Sequence, residues 1–196
     1  MGTVLHNWEP NVHNVDIFEI SSLFKFFMDF SPGAFRAARA LMGKTQEDVA
    51  TSCGVDRRII ARLERLSYPK PTEAAHKVRR FYVNEGLEFL DANKTAGAGV
   101  RWKTGGQEDY FHRRQVNAAR VLMDLSQTQL AKKLGVVRSV VTKYESGAVK
   151  TPDPGFIEHA VRVLEAEGAV FLPDTAVKGA GVRLVSATEA KPTTAS

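Results

Sequence analysis

The chain contains one segment twice, and this internal repeat constrains its fold more than any other feature of the sequence. Shifted by 81 residues, 36–64 aligns with 117–145 and is identical at eleven positions, including Ala37/Ala118 and Gly54/Gly135. After a one-residue insertion the match resumes, and the segment GAGVR occurs at both 97–101 and 179–183. The 196 residues are therefore predicted to hold two copies of one small domain, with an extension at each end. The predicted boundaries are 1–30 for the N-terminal extension, 31–103 and 108–185 for the two copies, and 186–196 for a disordered tail.

Each copy is predicted to form four helices followed by a small β-hairpin, which makes the chain mainly α. Capping residues place the helix starts, as where Ser31 is followed by a proline at the first helical position. The predicted elements of the first copy are 32–42, 45–52, 56–65, 72–85, 87–90 and 99–103. Those of the second copy are 108–123, 126–133, 137–146, 154–167, 169–172 and 181–185. The paired glycines 97/99 and 179/181 lack the strand-turn-helix context of a phosphate-binding loop and are predicted to form hairpin turns.

The second and third helices of each copy have the pattern of a helix-turn-helix unit. A glycine turn joins them, at Gly54 or Gly135, and the small Ala50 or Ala131 lies where the two helices approach each other. The apolar residues of the third helix recur at helical spacing and are predicted to face the core, which leaves its polar residues on the outer face. The outward residues are Arg57, Arg58, Ala61 and Arg62 in the first copy, and Arg138, Ser139, Thr142 and Lys143 in the second. Such side chains suit base edges and phosphates.

Both copies keep the pattern Q-x-x-x-A-x-x-x-G-V-x-x-x-x-[IV]-x-x-[LY]-E, from Gln46 to Glu64 and from Gln127 to Glu145. At these residues the sequence resembles the Cro/repressor-like helix-turn-helix family, also called the xenobiotic-response-element (XRE) family, twice over. The resemblance implies two tandem lambda-repressor-like domains, each of which inserts its third helix into a major groove.

The resemblance also implies individual roles. Bases and phosphates would be contacted by the outward polar residues of the third helices and by a glutamine that opens each second helix, where it binds phosphate and braces the third helix. These DNA-binding residues are Gln46, Arg57, Arg58, Arg62, Gln127, Arg138, Ser139, Thr142 and Lys143. A first-helix arginine would pair with the glutamate that closes the third helix, so Arg39–Glu64 and Arg120–Glu145 are expected to be structural ion pairs.

The distribution of charge is compatible with a polyanionic partner. Residues 34–101 hold 13 basic and 8 acidic residues and 108–185 hold 11 and 9, whereas 1–33 have a net charge of −3. Both copies are therefore basic, which fits nucleic acid but also a solvated surface. The two third helices differ in sequence, so the two half-sites are expected to differ.

Catalysis is not expected. The sequence has no Ser/His/Asp or Cys/His arrangement, no paired carboxylates, no Walker loop and no cluster with metal-ligand spacing, so neither a metal nor a cofactor is predicted. Cys53 aligns with Leu134 and is interpreted as a small core residue. A single cysteine fits a reducing cytoplasm, with the protein bound to the nucleoid. Charges interrupt the apolar stretch 17–30, so no membrane span is predicted.

The N-terminal extension carries an aromatic amphipathic stripe formed by Ile17, Ile20, Phe24 and Phe27. Packing on the protein's own body is one interpretation of this stripe. The others are a homodimer contact and a contact with RNA polymerase or another regulator.

Two functions from different classes remain open. The first is a bacterial or phage regulator of transcription that binds specific double-stranded DNA through two non-identical recognition helices. The alternative is a protein-interaction regulator, an antitoxin or anti-activator, that keeps the fold but binds DNA weakly. The exposed basic residues of both third helices favour the first.

Overall fold

The computed structural model describes residues 31–65, 72–107 and 109–186, in which four helices and two strands follow one another twice. The predicted N-terminal helix and residues 187–196 of the predicted tail lie outside this part of the chain. The first six elements are α1 (Pro32–Leu41), α2 (Gln46–Cys53), α3 (Arg57–Leu63), α4 (Glu73–Asn84), β1 (Leu87–Leu90) and β2 (Ala96–Trp102). The next six are α5 (Arg113–Leu122), α6 (Gln127–Leu134), α7 (Arg138–Glu145), α8 (Pro154–Ala166), β3 (Ala169–Leu172) and β4 (Gly181–Val185). The predicted tail begins at Ser186, which is buried and donates its hydroxyl to the Lys94 carbonyl.

Side-chain caps begin all four helices of the first copy. Ser31, Thr45, Asp56 and Thr72 each accept a hydrogen bond from a backbone N–H in the first turn of the helix that follows. Because the first N–H groups of a helix have no partner within it, these caps fix where each helix starts. The helix starts predicted from the same residues therefore agree with the structure to within one residue.

The first helix of the second copy begins at residue 113, so its predicted start at 108 is wrong. Its N-cap, His112, has a left-handed backbone with φ 49° and gives no side-chain cap. The carboxylate of Asp109 instead accepts hydrogen bonds from the N–H groups of Arg114 and Gln115. Asp109, four residues before the helix, thus binds the N–H groups of the first turn that an N-cap side chain binds in the helices of the first copy.

The two hairpins pair with each other and form one antiparallel sheet, in the order β1-β2-β4-β3. At its centre the two GAGVR segments lie side by side, with Val100 opposite Val182, Gly99 opposite Arg183 and Arg101 opposite Gly181. This register is reciprocal. The guanidinium of Arg101 donates to the carbonyl of residue 179 and that of Arg183 donates to the carbonyl of residue 97. An approximate two-fold axis therefore passes between β2 and β4.

The predicted hairpin turn is wrong at Gly97, whereas Gly99 and Gly181 lie in strands, as the predicted elements 99–103 and 181–185 have them, and Gly179 lies in the connection between β3 and β4. Gly97 and Gly99 lie inside β2, and Gly181 begins β4. A Cβ atom on Gly99 would overlap the Cβ of Arg183, and one on Gly181 would overlap the Cβ of Arg101. The glycines are needed here because the two central strands approach closely, and not because the chain reverses.

The same two-fold relation holds between α1 and α5, which pack in antiparallel orientation. The start of α1 lies against the end of α5, where a Cβ atom on Gly33 would be 2.6 Å from the carbonyl oxygen of Leu122. At the other end, Gly43 lies beside Arg114. Small, fully buried alanines allow the helix backbones to approach each other; they are Ala37, Ala38, Ala118 and Ala119. The two copies thus share one hydrophobic core as well as one sheet.

Two buried tyrosines differ in how their hydroxyls are satisfied. Tyr82 packs against Phe35 and Phe89, with ring centroids 6.2 and 6.1 Å away, and within the described residues its hydroxyl has no hydrogen-bond partner. Tyr144 donates its hydroxyl to the carbonyl of Phe111 at 2.6 Å. Burial raises the pKa of both hydroxyls, so both stay neutral at physiological pH.

This difference gives a stability prediction. On folding, the hydroxyl of Tyr82 gives up its hydrogen bonds to water and gains none from the described residues. Tyr82→Phe removes this hydroxyl, so the free energy of unfolding is expected to stay the same or to rise by about 1–3 kcal/mol. Tyr144→Phe removes a formed hydrogen bond and is expected to lower the free energy of unfolding by about 1 kcal/mol. Urea unfolding of the two variants measures both changes, and a clear loss of stability in Tyr82→Phe would contradict the assignment.

Candidate nucleic-acid interface

A tight turn sets the angle between α2 and α3. Gly54 ends α2 with a left-handed backbone at φ 57°, and the carboxylate of Asp56 accepts the N–H of Arg58 to begin α3. Ala50 and Val49 are buried where the two helices meet. The equivalent turn between α6 and α7 is made by Gly135, at φ 66°. In each copy the second and third helices therefore hold a fixed relative orientation.

The outer face of α3 is basic. Ile60 and Leu63 are buried in the core, whereas Arg57, Arg58 and Arg62 are exposed. The guanidinium groups of Arg57 and Arg58 make no hydrogen bond or ion pair with the described residues. A guanidinium in this state can donate two parallel hydrogen bonds to guanine or to a phosphate.

The outer face of α7 carries a different set of groups. Arg138, Ser139 and Lys143 are exposed. Thr142 is half-buried, and its hydroxyl lies 2.9 Å from Oε1 of Gln127, to which it donates. Thr142 therefore ties α7 to the start of α6, and of the four predicted DNA-binding residues on α7 it is the least accessible.

A hydrogen-bonded network ties the three helices of the first copy together. Arg39 on α1 donates to both carboxylate oxygens of Glu64, at 2.6 and 2.9 Å. Gln46, at the start of α2, donates its side-chain amide to the same carboxylate at 2.9 Å. Burial lowers the pKa of Arg39, but the hydrogen bond and charge of Glu64 outweigh it and raise the pKa, so the pair stays ionised. The carboxylate at the end of α3 is thus held from two sides.

The second copy repeats this network. Arg120 donates to both oxygens of Glu145 at 2.6 and 2.8 Å, and Gln127 donates to the same carboxylate at 2.8 Å. Only 4% of the Glu145 side chain is exposed. A side-chain amide has two N–H donors, and the carboxylate takes one from Gln46 and one from Gln127 in their respective copies.

The network of the second copy lines a cleft together with Arg39 of the first. Its walls combine residues of both copies: Arg39 and Ala40 from the first, and Asn117, Arg120, Gln127 and Thr142 from the second. Glu145 and Ser146, at the C-terminal end of α7, also line this cleft.

Arg36, in the first copy, contacts the second copy, and it is not one of the predicted site residues. Its guanidinium donates to the carbonyl of Val121 at 2.7 Å and to the carbonyl of Glu64, and it forms an ion pair with Asp124 at 3.0 Å. The end of α3 is thereby linked to the end of α5. Comparison of the repeats could not reveal this residue, since Asn117 occupies the equivalent position in the second copy.

Val137 is a second residue that the sequence analysis missed. It is the N-cap of α7 and provides no side-chain hydrogen bond, whereas Asp56 at the equivalent position caps α3. Val137 is 67% exposed, and Val140 on the same helix is 38% exposed. The first turn of α7 therefore presents an apolar edge beside Arg138.

The described residues offer no other evident chemistry. Cys53 is buried, and burial raises the pKa of its thiol, so it acts as a small core side chain. Within the described ranges, no three His, Cys, Asp or Glu side chains come together closely enough to hold a metal ion.

The decisive comparison concerns the second copy. Residues 116–165 match the model of the family described as helix-turn-helix, and this segment runs from within α5 to near the end of α8. The matched family is of the XRE type. This helix-turn-helix family is one of DNA-binding regulatory domains, and it is not an enzyme family. Within the matched segment, α6 and α7 are the two helices joined by the glycine turn.

No curated protein and no solved structure matches the chain. None of the helices in the described residues combines the length and the apolar character needed to cross a lipid bilayer.

Proposed function

We propose that this protein is a transcription regulator that binds specific double-stranded DNA through α3 and α7, placed in adjacent major grooves. The observation that carries the proposal is the exposed Arg138 in the first turn of α7, within a segment that matches a helix-turn-helix family. The first copy supports it, because four of its features recur in the second: the capping box that begins α2, the glycine turn, the buried ion pair, and an outward arginine that opens the third helix.

In this proposal the two copies act as one unit with unequal halves. Arg57, Arg58 and Arg62 contact one half-site, and Arg138, Ser139 and Lys143 contact the other, while Thr142 positions α7. Gln46 and Gln127 brace these helices and donate to phosphates. The shared sheet and the α1–α5 contact fix the two recognition helices relative to each other, so the chain is expected to select a fixed spacing between half-sites.

A salt titration with selected DNA tests the proposal. Duplexes enriched from a random pool should bind with an affinity that falls linearly on a log-log plot against salt, with a slope near −0.9 for each neutralised phosphate. Arg58→Ala or Arg138→Ala should each lose about 1–3 kcal/mol of binding free energy, roughly 5- to 150-fold in affinity, and relax preference at one base pair.

Arg162→Ala is the matched control, since Arg162 is an exposed arginine on α8 that pairs with Glu158 outside the proposed interface. Its affinity for DNA is expected to match that of the wild type. A flat salt response would favour the protein-interaction alternative. Undiminished base preference in a folded Arg138→Ala variant would contradict the assignment of Arg138.

A homodimer, and a contact of residues 1–30 with RNA polymerase or another regulator, are two further proposals; residues 1–30 lie outside the described residues. Light scattering of the full chain, with and without DNA, measures the first. Copurification of polymerase with the full chain, but not with a chain lacking residues 1–30, measures the second.

A further inference from the structure

The apolar edge of α7 is unusual for this molecule. Within the described ranges four large hydrophobic side chains are exposed, Tyr110, Val137, Val140 and Val177, and two of them lie at the start of α7. Val140 follows Val137 by three positions, so both side chains lie on the same side of the helix. The two form a small apolar surface on the turn of α7 that carries Arg138.

Neither folding nor capping accounts for a valine at position 137. The core of the second copy takes Val141 and Tyr144 from α7, and Val137 remains outside it. Asp, Asn, Ser and Thr are the residues that satisfy N–H groups at a helix start, and valine is among the poorest. The first copy keeps the aspartate, which caps α3 through the N–H of Arg58.

We propose that Val137, with Val140 beside it, packs on the 5-methyl group of a thymine in the half-site bound by α7. This inference rests on the proposed function. In the major groove the thymine methyl is the apolar group that a base pair presents, and aliphatic side chains recognise it by contact. The adjacent Arg138 donates to guanine, so the α7 half-site contains a thymine next to a guanine. The α3 half-site, where Asp56 takes the place of Val137, lacks this preference.

Uracil substitution isolates the proposed contact. The probe is a duplex enriched from a random pool by the wild-type protein and synthesised again with each thymine replaced in turn by uracil, which lacks only the methyl group. Loss of one buried methyl contact is expected to weaken binding about fourfold at one position of the α7 half-site. Removing the methyl groups of other thymines should change the affinity much less.

Variants assign the effect to the residue. Val137→Ala is expected to lose the sensitivity to uracil at that position, whereas Val137→Thr, which keeps one γ-methyl group, is expected to retain it. Val177→Ala is the matched control, because Val177 is 76% exposed but lies between β3 and β4, outside the proposed interface. Thermal unfolding of each variant checks that the fold is kept, as expected for an exposed side chain.

The outcomes separate this inference from the function on which it rests. Enrichment of no duplex would overturn the proposed function. Enrichment of a duplex that tolerates uracil at every position would overturn the thymine contact and leave DNA binding intact. Uracil sensitivity that persists unchanged in Val137→Ala would also overturn it, whereas loss of that sensitivity in this variant alone supports it.

Discussion

Replacing Glu145 with alanine is expected to lower the free energy of unfolding by about 3–5 kcal/mol, because the change leaves a buried guanidinium without its counter-charge. The side chain of Arg120 is only 10% exposed, and it donates twice to the carboxylate that the substitution removes. Gln127 loses the same acceptor, so α6 and α7 are loosened together. Equilibrium urea unfolding followed by circular dichroism measures the loss.

The control for this variant is Glu158→Ala. Glu158 pairs with Arg162 at 3.8 Å on the surface of α8, with both side chains about two-thirds exposed or more. An exposed pair of this kind contributes at most about 1 kcal/mol, so little change is expected. Exchanging both buried partners for apolar residues, Arg120→Met with Glu145→Leu, should recover most of the lost stability. A loss below about 1 kcal/mol in Glu145→Ala would show that the pair is not buried in solution.

Replacing Gly181 with valine is expected to open the contact between β2 and β4. A Cβ atom at this position overlaps the Cβ of Arg101 and the carbonyl of Val100, which are parts of the neighbouring strand that cannot rotate away. We expect a loss of about 3 kcal/mol, at the upper end for overpacked sites. Because this contact joins the two copies, unfolding should also change from one transition to two.

The same variant tests how far the two copies depend on each other for binding. Loosening the contact between β2 and β4 lowers the effective concentration of one recognition helix at its half-site once the other is bound. The affinity for a duplex with both half-sites should therefore fall by about 100-fold or more, while each half-site alone is bound as before. Gly155→Ala serves as the control, since it lies in α8, away from the strands, where an added Cβ would come nearest to the carboxylate of Asp153 at 3.1 Å and meet no backbone atom of another element. A single unfolding transition and unchanged affinity in Gly181→Val would contradict the prediction.

The helices could be predicted from sequence because their starts are set locally. At Thr45, for example, the hydroxyl accepts the N–H of Asp48 while the Asp48 carboxylate accepts the N–H of Thr45. Both partners lie within four residues, so the pattern is visible in the chain. The start of α5 was placed five residues too early because Asp109 caps it from outside the helix, through a backbone path that includes the left-handed His112.

The sheet could not be predicted in the same way. Glycine suits a turn as well as a close approach of two strands, and only the position of the second GAGVR segment decides between them. That position follows from the pairing of Val100 with Val182, which lie 82 residues apart in sequence. The contacts of Arg36 across the two copies are hidden for the same reason.

The candidate interface was accessible to sequence reasoning where the two copies agree. Arg39 and Arg120 recur at equivalent positions, and in the structure each of them makes a bidentate contact with the glutamate that ends the third helix. Val137 could not be identified from the sequence, because it lies next to apolar residues of the core and the sequence does not show whether its own side chain is buried or exposed. Its exposed fraction, which is a property of the folded chain, distinguishes it from Val141.

The two-fold arrangement of α1 with α5 and of β2 with β4 also affects how such a molecule can change over time. In a symmetric homodimer every mutation appears on both sides of the axis, so the two sides are obliged to change together. Here the sides are encoded separately, and the substitution that distinguishes Asp56 from Val137 alters one of them alone. One side can therefore be retuned, by evolution or by an engineer, while the other keeps its original specificity and the joint between them stays intact.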